Sequence, residues 1–162
     1  MTIYHVTKAL LSSALITSLC CALPLNAETK ASALDYETVN KINATCLEQA
    51  RKANYKVAIA IYDQGGVLLS FIRMDGAPTA VGEVARWKGL SAAIYQTKTS
   101  QTAKWNVPTA PKIATAQGGV PVFTKDGKAL GGIGVSGAPP EFDESCGAAA
   151  AQSIGLQINR PG

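Results

Sequence analysis

The chain has 162 residues, with 15 lysines and arginines against 11 aspartates and glutamates, and its formal net charge is +4 at pH 7. The basic residues are too few and too scattered to indicate a nucleic-acid-binding protein. A chain of this length is sufficient for one domain with a hydrophobic core of its own.

The amino-terminal residues have the pattern of a secretory signal peptide. Lys8 precedes an apolar run over residues 9–23, and small residues follow up to Ala27, where cleavage is expected. The run is short for a membrane span, and an uncleaved anchor or a buried amino-terminal helix is the alternative. Cys20 and Cys21 also suggest lipidation. However, the preceding residues, Thr17-Ser18-Leu19, lack the small residue that is expected just ahead of a lipidated cysteine. We therefore predict a secretory leader.

Cleavage at that point assigns residues 1–27 to the signal peptide and residues 28–162 to a single exported domain, periplasmic or secreted. The one histidine of the chain, His5, would leave with the leader. Without an imidazole, the domain cannot build a Ser-His-Asp or Cys-His site, a histidine-ligated metal site or a histidine-ligated haem. The sequence also lacks nucleotide-binding loops and CxxC motifs. The functions that remain are ligand binding and chemistry carried out by a bound cofactor.

Residues 35–54 have the spacing of an amphipathic helix, because apolar residues recur every three or four positions. Asp35 is placed to cap its amino-terminal end. Cys46 lies on the apolar side and is expected to face the core. The residues of this side are Val39, Ile42, Cys46, Ala50 and Ala53.

A first hairpin and a second helix follow. Residues 57–63 and 67–73 are apolar enough for strands near the centre of a sheet, and the sequence QGG turns the chain between them. A corner, MDGAP, leads to a helix that begins near Thr79, which can cap it. We expect one side of this helix to face the core, namely Ala80, Val84, Trp87, Leu90, Ser91 and Ile94.

Residues 97–117 are polar and irregular, and Pro108 and Pro111 prevent a regular helix there. Trp105 lies in this segment. An exposed Trp105 would mark a lid or a subunit contact, whereas a buried one would pack over the edge of the sheet.

The second hairpin consists of residues 120–124 and 129–136 joined by KDGK, since Asp-Gly suits the positive φ angles of a tight turn. The returning strand contains three glycines, which indicates that another backbone, a helix or a flat ligand approaches closely. Two prolines end this strand. A helix is expected from Pro140 to about Ile154, with acidic residues at its positive end.

These blocks resemble a known family. The order of GGVPV, a DG hairpin, GGIGVSG, a proline and an acidic DE before a small-residue helix is similar to the GlcG/HbpS haem-binding, haem-degrading-like family. The stretch VAIAIYDQGGVLLSFIRMDGA over residues 57–77 extends the resemblance. It implies a single α+β domain that is profilin-like, with an antiparallel sheet of about five strands flanked by helices. It also implies haem or a related tetrapyrrole as cofactor, and assembly into a homo-oligomer.

The second helix and the corner before it offer candidate haem contacts. Trp87 could form an apolar wall, with Arg86 or Lys88 pairing with the propionates. In the structural alternative, Trp87 faces the core and the two cations extend into water. Arg73 and Met74 are similar candidates. Methionine can bind haem iron axially, although at such a corner it ordinarily packs.

The glycine-rich corner after the last strand is a second candidate. Backbone N–H groups at Gly134, Ser136 and Gly137, near a helix start, can hold a carboxylate such as a haem propionate. Alternatively, these glycines let the carboxy-terminal helix approach the sheet while Ser136 and nearby acids cap it. Tyr62 and Tyr95 are other oxygen ligands for iron, and nothing local favours either.

In the family that the chain resembles, the first and last helices pack side by side, which would bring Cys46 and Cys146 together. Export makes a disulfide between them chemically reasonable. Two inert buried thiols, or a thiolate that ligates haem, are the alternatives.

We therefore expect an exported protein that binds haem or a related tetrapyrrole without a histidine ligand, for sequestration, transfer or sensing. The alternative is a small-molecule enzyme or accessory protein of the same fold, including one that degrades haem. A third reading is an oligomeric scaffold without a ligand. Binding is favoured over catalysis, and no catalytic residue is assigned. Neither nucleic acid nor, after loss of the leader, a membrane is expected as a partner.

Overall fold

The computed structural model describes residues 33–107 and 109–161, so the predicted leader lies outside the described residues. Within these ranges the elements follow in the order α1 (Tyr36–Lys52), β1 (Ala58–Asp63), β2 (Leu68–Arg73), α2 (Thr79–Tyr95), α3 (Thr99–Thr102), β3 (Gly119–Phe123), β4 (Ala129–Ser136) and α4 (Pro140–Gln152). None of these helices is both long enough and apolar enough to cross a membrane.

The strands form one antiparallel sheet in the order β2-β1-β4-β3. Both predicted hairpins are present, and β1 and β4 pair in the centre, with Ala58 opposite Ser136. In the described part of the chain the sheet has four strands, not the expected five or so. At the β3 edge, where a further strand would lie, the tail up to residue 161 contributes one isolated bridge, between Phe123 and Gln157.

Helices cover both faces of this sheet. The alternation along β1 divides the core, because Ile59 and Ile61 point to α1 and α4 whereas Ala58 and Ala60 point to α2. The α1/α4 side holds the larger cluster. Its fully buried residues include Ile42, Val57, Ile59, Ile61, Val120, Val122, Ile133 and Val135. The fold is therefore three layers, with the sheet in the middle.

Glycines let α2 lie very close to the centre of the sheet. A Cβ atom on Gly89 would lie 2.8 Å from the Ala60 oxygen and 2.9 Å from the Gly134 nitrogen. A Cβ atom on Gly134 would overlap the backbone of α2 at Ala85 and Gly89. The close approach expected for this strand is thus made by α2, and not by the carboxy-terminal helix, which packs on the opposite face.

The buried side of α2 differs from the side that the apolar pattern predicts. Of the predicted stripe only Ser91 is fully buried, and Trp87 keeps 36% of its surface exposed. Small residues face the sheet because only they permit the approach to β4, so the larger apolar residues lie on the flanks. The predicted cap is also wrong, since Thr79 is the first helical residue and Pro78 precedes it without a side-chain cap. The buried residues of α2 are Gly82, Ala85, Lys88, Gly89, Ser91, Ala92 and Ala93.

α1 begins as predicted and contacts α4. Asp35 caps the helix by accepting a hydrogen bond from the Thr38 N–H at 2.8 Å. The predicted core side is buried up to Ala50, while Ala53 follows the helix and is exposed. The Cα atoms of Cys46 and Cys146 are 5.1 Å apart and their sulfur atoms lie at bonding distance. This geometry permits the disulfide that the resemblance implies, which would join α1 to α4.

Candidate functional site

Two arginines and a phenylalanine meet on the outer surface of β2 and α2. Ala58 and Ala60 point to α2, and their partners on β2 are Arg73 and Phe71, so these two side chains project on the α2 side as well. The guanidinium carbon of Arg86 lies 4.1 Å from the centre of the Phe71 ring. We call Phe71, Arg73 and Arg86 the basic–aromatic surface.

A glycine in α2 makes room for this surface. A Cβ atom on Gly82 would lie 2.9 Å from Phe71 Cζ and 3.6 Å from Arg73 Cδ. A side chain there would therefore displace the phenyl ring from α2. Val81 and Leu90 are, like Phe71, partly buried against the core on this side of the sheet. The surface thus combines cationic groups with apolar area.

The two guanidinium groups retain donors for a ligand. Arg73 Nη1 donates to the Ala77 carbonyl oxygen. Arg86 Nη1 lies 3.5 Å from Glu83 Oε1 in an exposed ion pair of the kind that contributes little. Arg86 Nε is buried and has no hydrogen-bond partner in the described ranges. Because each guanidinium carries five N–H donors in a planar fork, the surface suits carboxylates.

Trp87 lies on another flank of α2. Its indole N–H donates to the Ile113 carbonyl oxygen at 2.8 Å, whereas Arg86 contacts the ring of Phe71 on β2. Trp87 therefore fastens the irregular segment to α2. The structure does not place it beside Arg86 as the wall of one pocket.

Lys88 and Asp143 form a buried ion pair. The Lys88 ammonium lies 3.0 Å from Asp143 Oδ2 and 3.0 Å from the Val135 carbonyl oxygen, and both side chains are almost fully buried. Gly118 lies against the pair, since a Cβ atom there would be 2.7 Å from Lys88 Nζ. A haem propionate could reach this ammonium only if the pair opened. No local pattern links residues that are 55 positions apart, so Asp143 was not predicted as the partner.

Asp143 also organises the corner before α4. Its Oδ1 accepts a hydrogen bond from the Ala138 N–H at 3.1 Å. Burial raises the pKa of the Asp143 carboxyl above its ordinary value, against the opposing effects of Lys88 and of the N–H groups of Ala138 and Gly137. The N–H groups of Gly137 and Ala138 are therefore satisfied within the fold by Asp143, whereas the close approach at Gly134 is made by α2 and the start of α4 has no side-chain cap.

The other predicted contacts are separated from the basic–aromatic surface. Met74 packs against the α1/α4 side of the core. Gly134 lies under α2, and Ser136 is 7% exposed. Gly137 has a φ of 121°, and a Cβ atom there would overlap the Lys56 carbonyl oxygen. Of the predicted residues, the structure brings together Arg73 and Arg86. It adds Phe71, which the alternation along the second strand could have identified.

Two shallow grooves lie elsewhere, between the start of α1 and the end of the first hairpin. Their volumes are about 220 and 310 Å³, and both are lined by Leu34 and Leu69. Lys128 is the cation that lines the larger one. None of the predicted haem contacts lines either groove. In the described ranges no three His, Cys, Asp or Glu side chains are grouped as a metal site would require.

Comparison with known proteins gives consistent matches. The chain is 33% identical over 109 residues to Protein GlcG of Escherichia coli strain K12, covering 64% of this chain and 81% of GlcG. The crystal structure of HbpS matches with a TM-score of 0.70 and 31% identity over 77% of this chain and 92% of HbpS. A PduOC:heme complex shares the fold, with a TM-score of 0.73 and 23% identity over 79% of this chain and 99% of PduOC.

The family assignment rests on the extent of the match as well as on these relatives. A family model described as "Haem degrading protein HbpS-like" matches residues 34–152. That range runs from just before α1 to the end of α4 and so includes the whole sheet with its helices. The chain therefore belongs to the HbpS-like family.

Proposed function

We propose that residues 28–162, exported after loss of the leader, bind haem or a related tetrapyrrole reversibly at the basic–aromatic surface. The observation that carries this proposal is the placement of Arg73 and Arg86 beside Phe71, with the Arg86 guanidinium carbon 4.1 Å from the centre of the ring. The description of the family and the haem held by PduOC support the choice of ligand. Sequestration, transfer or sensing in the periplasm or outside the cell would each need reversible binding.

The residues of this surface fit the edge of a porphyrin. Haem carries two propionate carboxylates beside a flat apolar ring. Guanidinium groups pair with carboxylates bidentately, and the hydrogen bonds that Arg73 and Arg86 form with other described residues use their Nη1 atoms. The ring of Phe71 and its partly buried neighbours Val81 and Leu90 provide apolar contact.

The same surface offers little to the iron. Residues 28–162 contain no histidine. Met74 packs on the opposite face of the sheet. Tyr62 is 7% exposed, and burial raises its pKa, which favours the neutral phenol over a phenolate ligand. Haem supplies a redox-active iron, and we propose that this chain holds the porphyrin mainly by its periphery.

Titration of purified residues 28–162 with haemin tests the proposal. A saturable Soret band is expected, and Arg73→Gln and Arg86→Gln should each weaken binding about tenfold, since each removes a hydrogen bond to a charged group. Lys128→Gln, in the larger groove, is the matched control and should bind as the wild type does. If haemin binding were weakened by Lys128→Gln and by neither arginine variant, the binding site would be assigned to the larger groove. Absence of saturable binding at micromolar haemin would refute haem binding altogether.

Haem degradation is the second candidate function, because the family description names it. It would make the protein an enzyme. Incubation of the haem complex with a reductant in air separates the two functions. Loss of the Soret band with release of iron indicates degradation, whereas a stable band indicates a binding protein.

We also propose a homo-oligomer, as the resemblance implies. The edge strand β2 begins with Leu68 and Leu69, which are 42% and 40% exposed, and Val67 just before it is 61% exposed. Such an edge is suited to contact with another copy of the chain. Light scattering of the purified domain measures the number of copies, and Leu68→Lys should reduce it if the edge takes part.

A further inference from the structure

The irregular segment between α3 and β3 presents an exposed indole on an anchored loop. We call residues 103–107 and 109–112 the tip. Within it, Trp105 and Val107 are 47% and 42% exposed. Exposed apolar side chains of this size, two positions apart on one loop, are uncommon unless they contact a partner.

The tip is held at both ends. The Trp105 N–H donates to the Thr102 carbonyl oxygen at 3.2 Å, and the Trp105 ring packs edge-on against Tyr95, 6.0 Å between centres. The Tyr95 hydroxyl donates to the Pro111 carbonyl oxygen at 2.7 Å. Just after the tip, the Ile113 carbonyl oxygen accepts a hydrogen bond from the Trp87 indole N–H. Trp105 is therefore presented to solvent by a positioned loop.

The sequence around the tip is basic. Residues 84–125 contain six lysines and arginines and neither aspartate nor glutamate. Lys88 is paired with Asp143, and Lys98 lies 4.0 Å from Glu144. Lys104 and Lys112 flank the apolar residues of the tip and are exposed, and neither forms an ion pair within the described ranges.

We propose that the tip docks on an anionic phospholipid surface. Trp105 and Val107 would enter the boundary between headgroups and acyl chains, where an indole is favourable because it is both apolar and polar. Lys104 and Lys112 would pair with lipid phosphates. Charge complementarity supports an anionic partner, because Lys104 and Lys112 are exposed beside the apolar residues of the tip and form no ion pair within the described ranges. This proposal departs from the expectation that a membrane is no partner after loss of the leader, because the tip would make a peripheral contact that does not depend on residues 1–27.

Sedimentation of residues 28–162 with lipid vesicles measures this contact. Binding is expected with vesicles of phosphatidylglycerol and phosphatidylcholine in equal parts, and it should fall sharply with phosphatidylcholine alone or at high salt. Brominated acyl chains should quench the tryptophan emission of the wild type, and much less so that of Trp105→Phe. Trp105→Ala should weaken partitioning about tenfold, from the apolar area that it removes.

Matched variants separate the tip from general surface effects. Lys104→Gln with Lys112→Gln should weaken binding to anionic vesicles about thirtyfold, because each lysine near such a surface contributes about one kcal/mol. Lys41→Gln with Lys128→Gln removes the same charge elsewhere and should have little effect, and Tyr36→Ala is the control for an exposed aromatic residue. The proposal is wrong if both charge pairs behave alike, if vesicle charge has no influence, or if Trp105 emission responds to protein concentration and not to lipid.

Discussion

The Lys88 ammonium lies 3.0 Å from Asp143 Oδ2 at the end of the sheet, where both side chains are buried. Lys88 belongs to α2 and Asp143 to the first turn of α4, so the pair joins helices from opposite layers. Lys88 also donates to the Val135 carbonyl oxygen, and the N–H groups of Ala138 and Gly137 donate to Asp143. With both partners present, each buried charge is compensated.

Removing one member of this pair should destabilise the fold far more than removing both. Asp143→Leu leaves a buried ammonium without its counter-ion and should cost about 3–5 kcal/mol of unfolding free energy. Lys88→Met should also destabilise, because it leaves the carboxylate buried. The double variant should recover much of the loss, since two apolar side chains replace two charges, and it should fall short of the wild type by the hydrogen bonds that Val135, Gly137 and Ala138 lose. Denaturant unfolding of all four proteins measures this, and simple addition of the two single effects would contradict it.

The raised pKa of Asp143 predicts a pH dependence of stability. Because the folded-state pKa lies above the ordinary value of 3.8, the folded protein holds this proton more tightly than the unfolded chain does. The resulting stabilisation is fully present below the ordinary pKa and is lost as the pH rises through the folded pKa. The wild type should therefore lose stability relative to Lys88→Met/Asp143→Leu over that window. Unfolding of both proteins at a series of pH values is the measurement, and a difference that moves the other way would show a lowered pKa.

A Cys46–Cys146 disulfide should contribute to stability. The two residues are 100 positions apart, and loss of a native crosslink typically costs about 2–5 kcal/mol. Cys46→Ala/Cys146→Ala should therefore unfold at lower denaturant concentration, and reductant should lower the stability of the wild type but not of this variant. Mass spectrometry after alkylation without reductant is the direct check. Two alkylatable thiols in the exported domain would show that the bond is absent.

The contact of α2 with β4 should not tolerate a methyl group. Gly134→Ala forces a Cβ atom into the α2 backbone and should cost about 3 kcal/mol. Gly147→Ala is the matched control on the opposite face, where the new atom would meet the side-chain ends of Val120 and Ile133 at 3.2 and 3.4 Å. There the better helix propensity of alanine, up to about 1 kcal/mol, should offset the crowding. Equal losses in thermal unfolding for the two variants would contradict this account of the packing.

Local chemistry made much of the fold predictable. Three of the signals act on neighbouring residues: the Asp-Gly turn, the capping carboxylate of Asp35 and the proline at the start of α4. The helices and strands that these signals delimit begin or end within a few residues of the expected positions. The number of strands was less predictable, because it depends on where the tail lies relative to β3. The candidate site was predicted only in part. Arg73 and Arg86 were identified from sequence, whereas their meeting at Phe71 depends on strand pairing.

By itself, the sequence determined two hairpins, three of the helices and a domain without histidine after the predicted cleavage, because turns, caps and composition are local or additive properties. Only the tertiary structure decided which side of α2 is buried. The apolar stripe of a helix predicts its buried side correctly when the helix packs against large side chains. Here α2 packs on the glycines of β4. The two backbones lie so close together that only small side chains fit between them. Lys88 was thereby turned inward to Asp143, while Trp87 and Arg86 were left on the flanks of the helix.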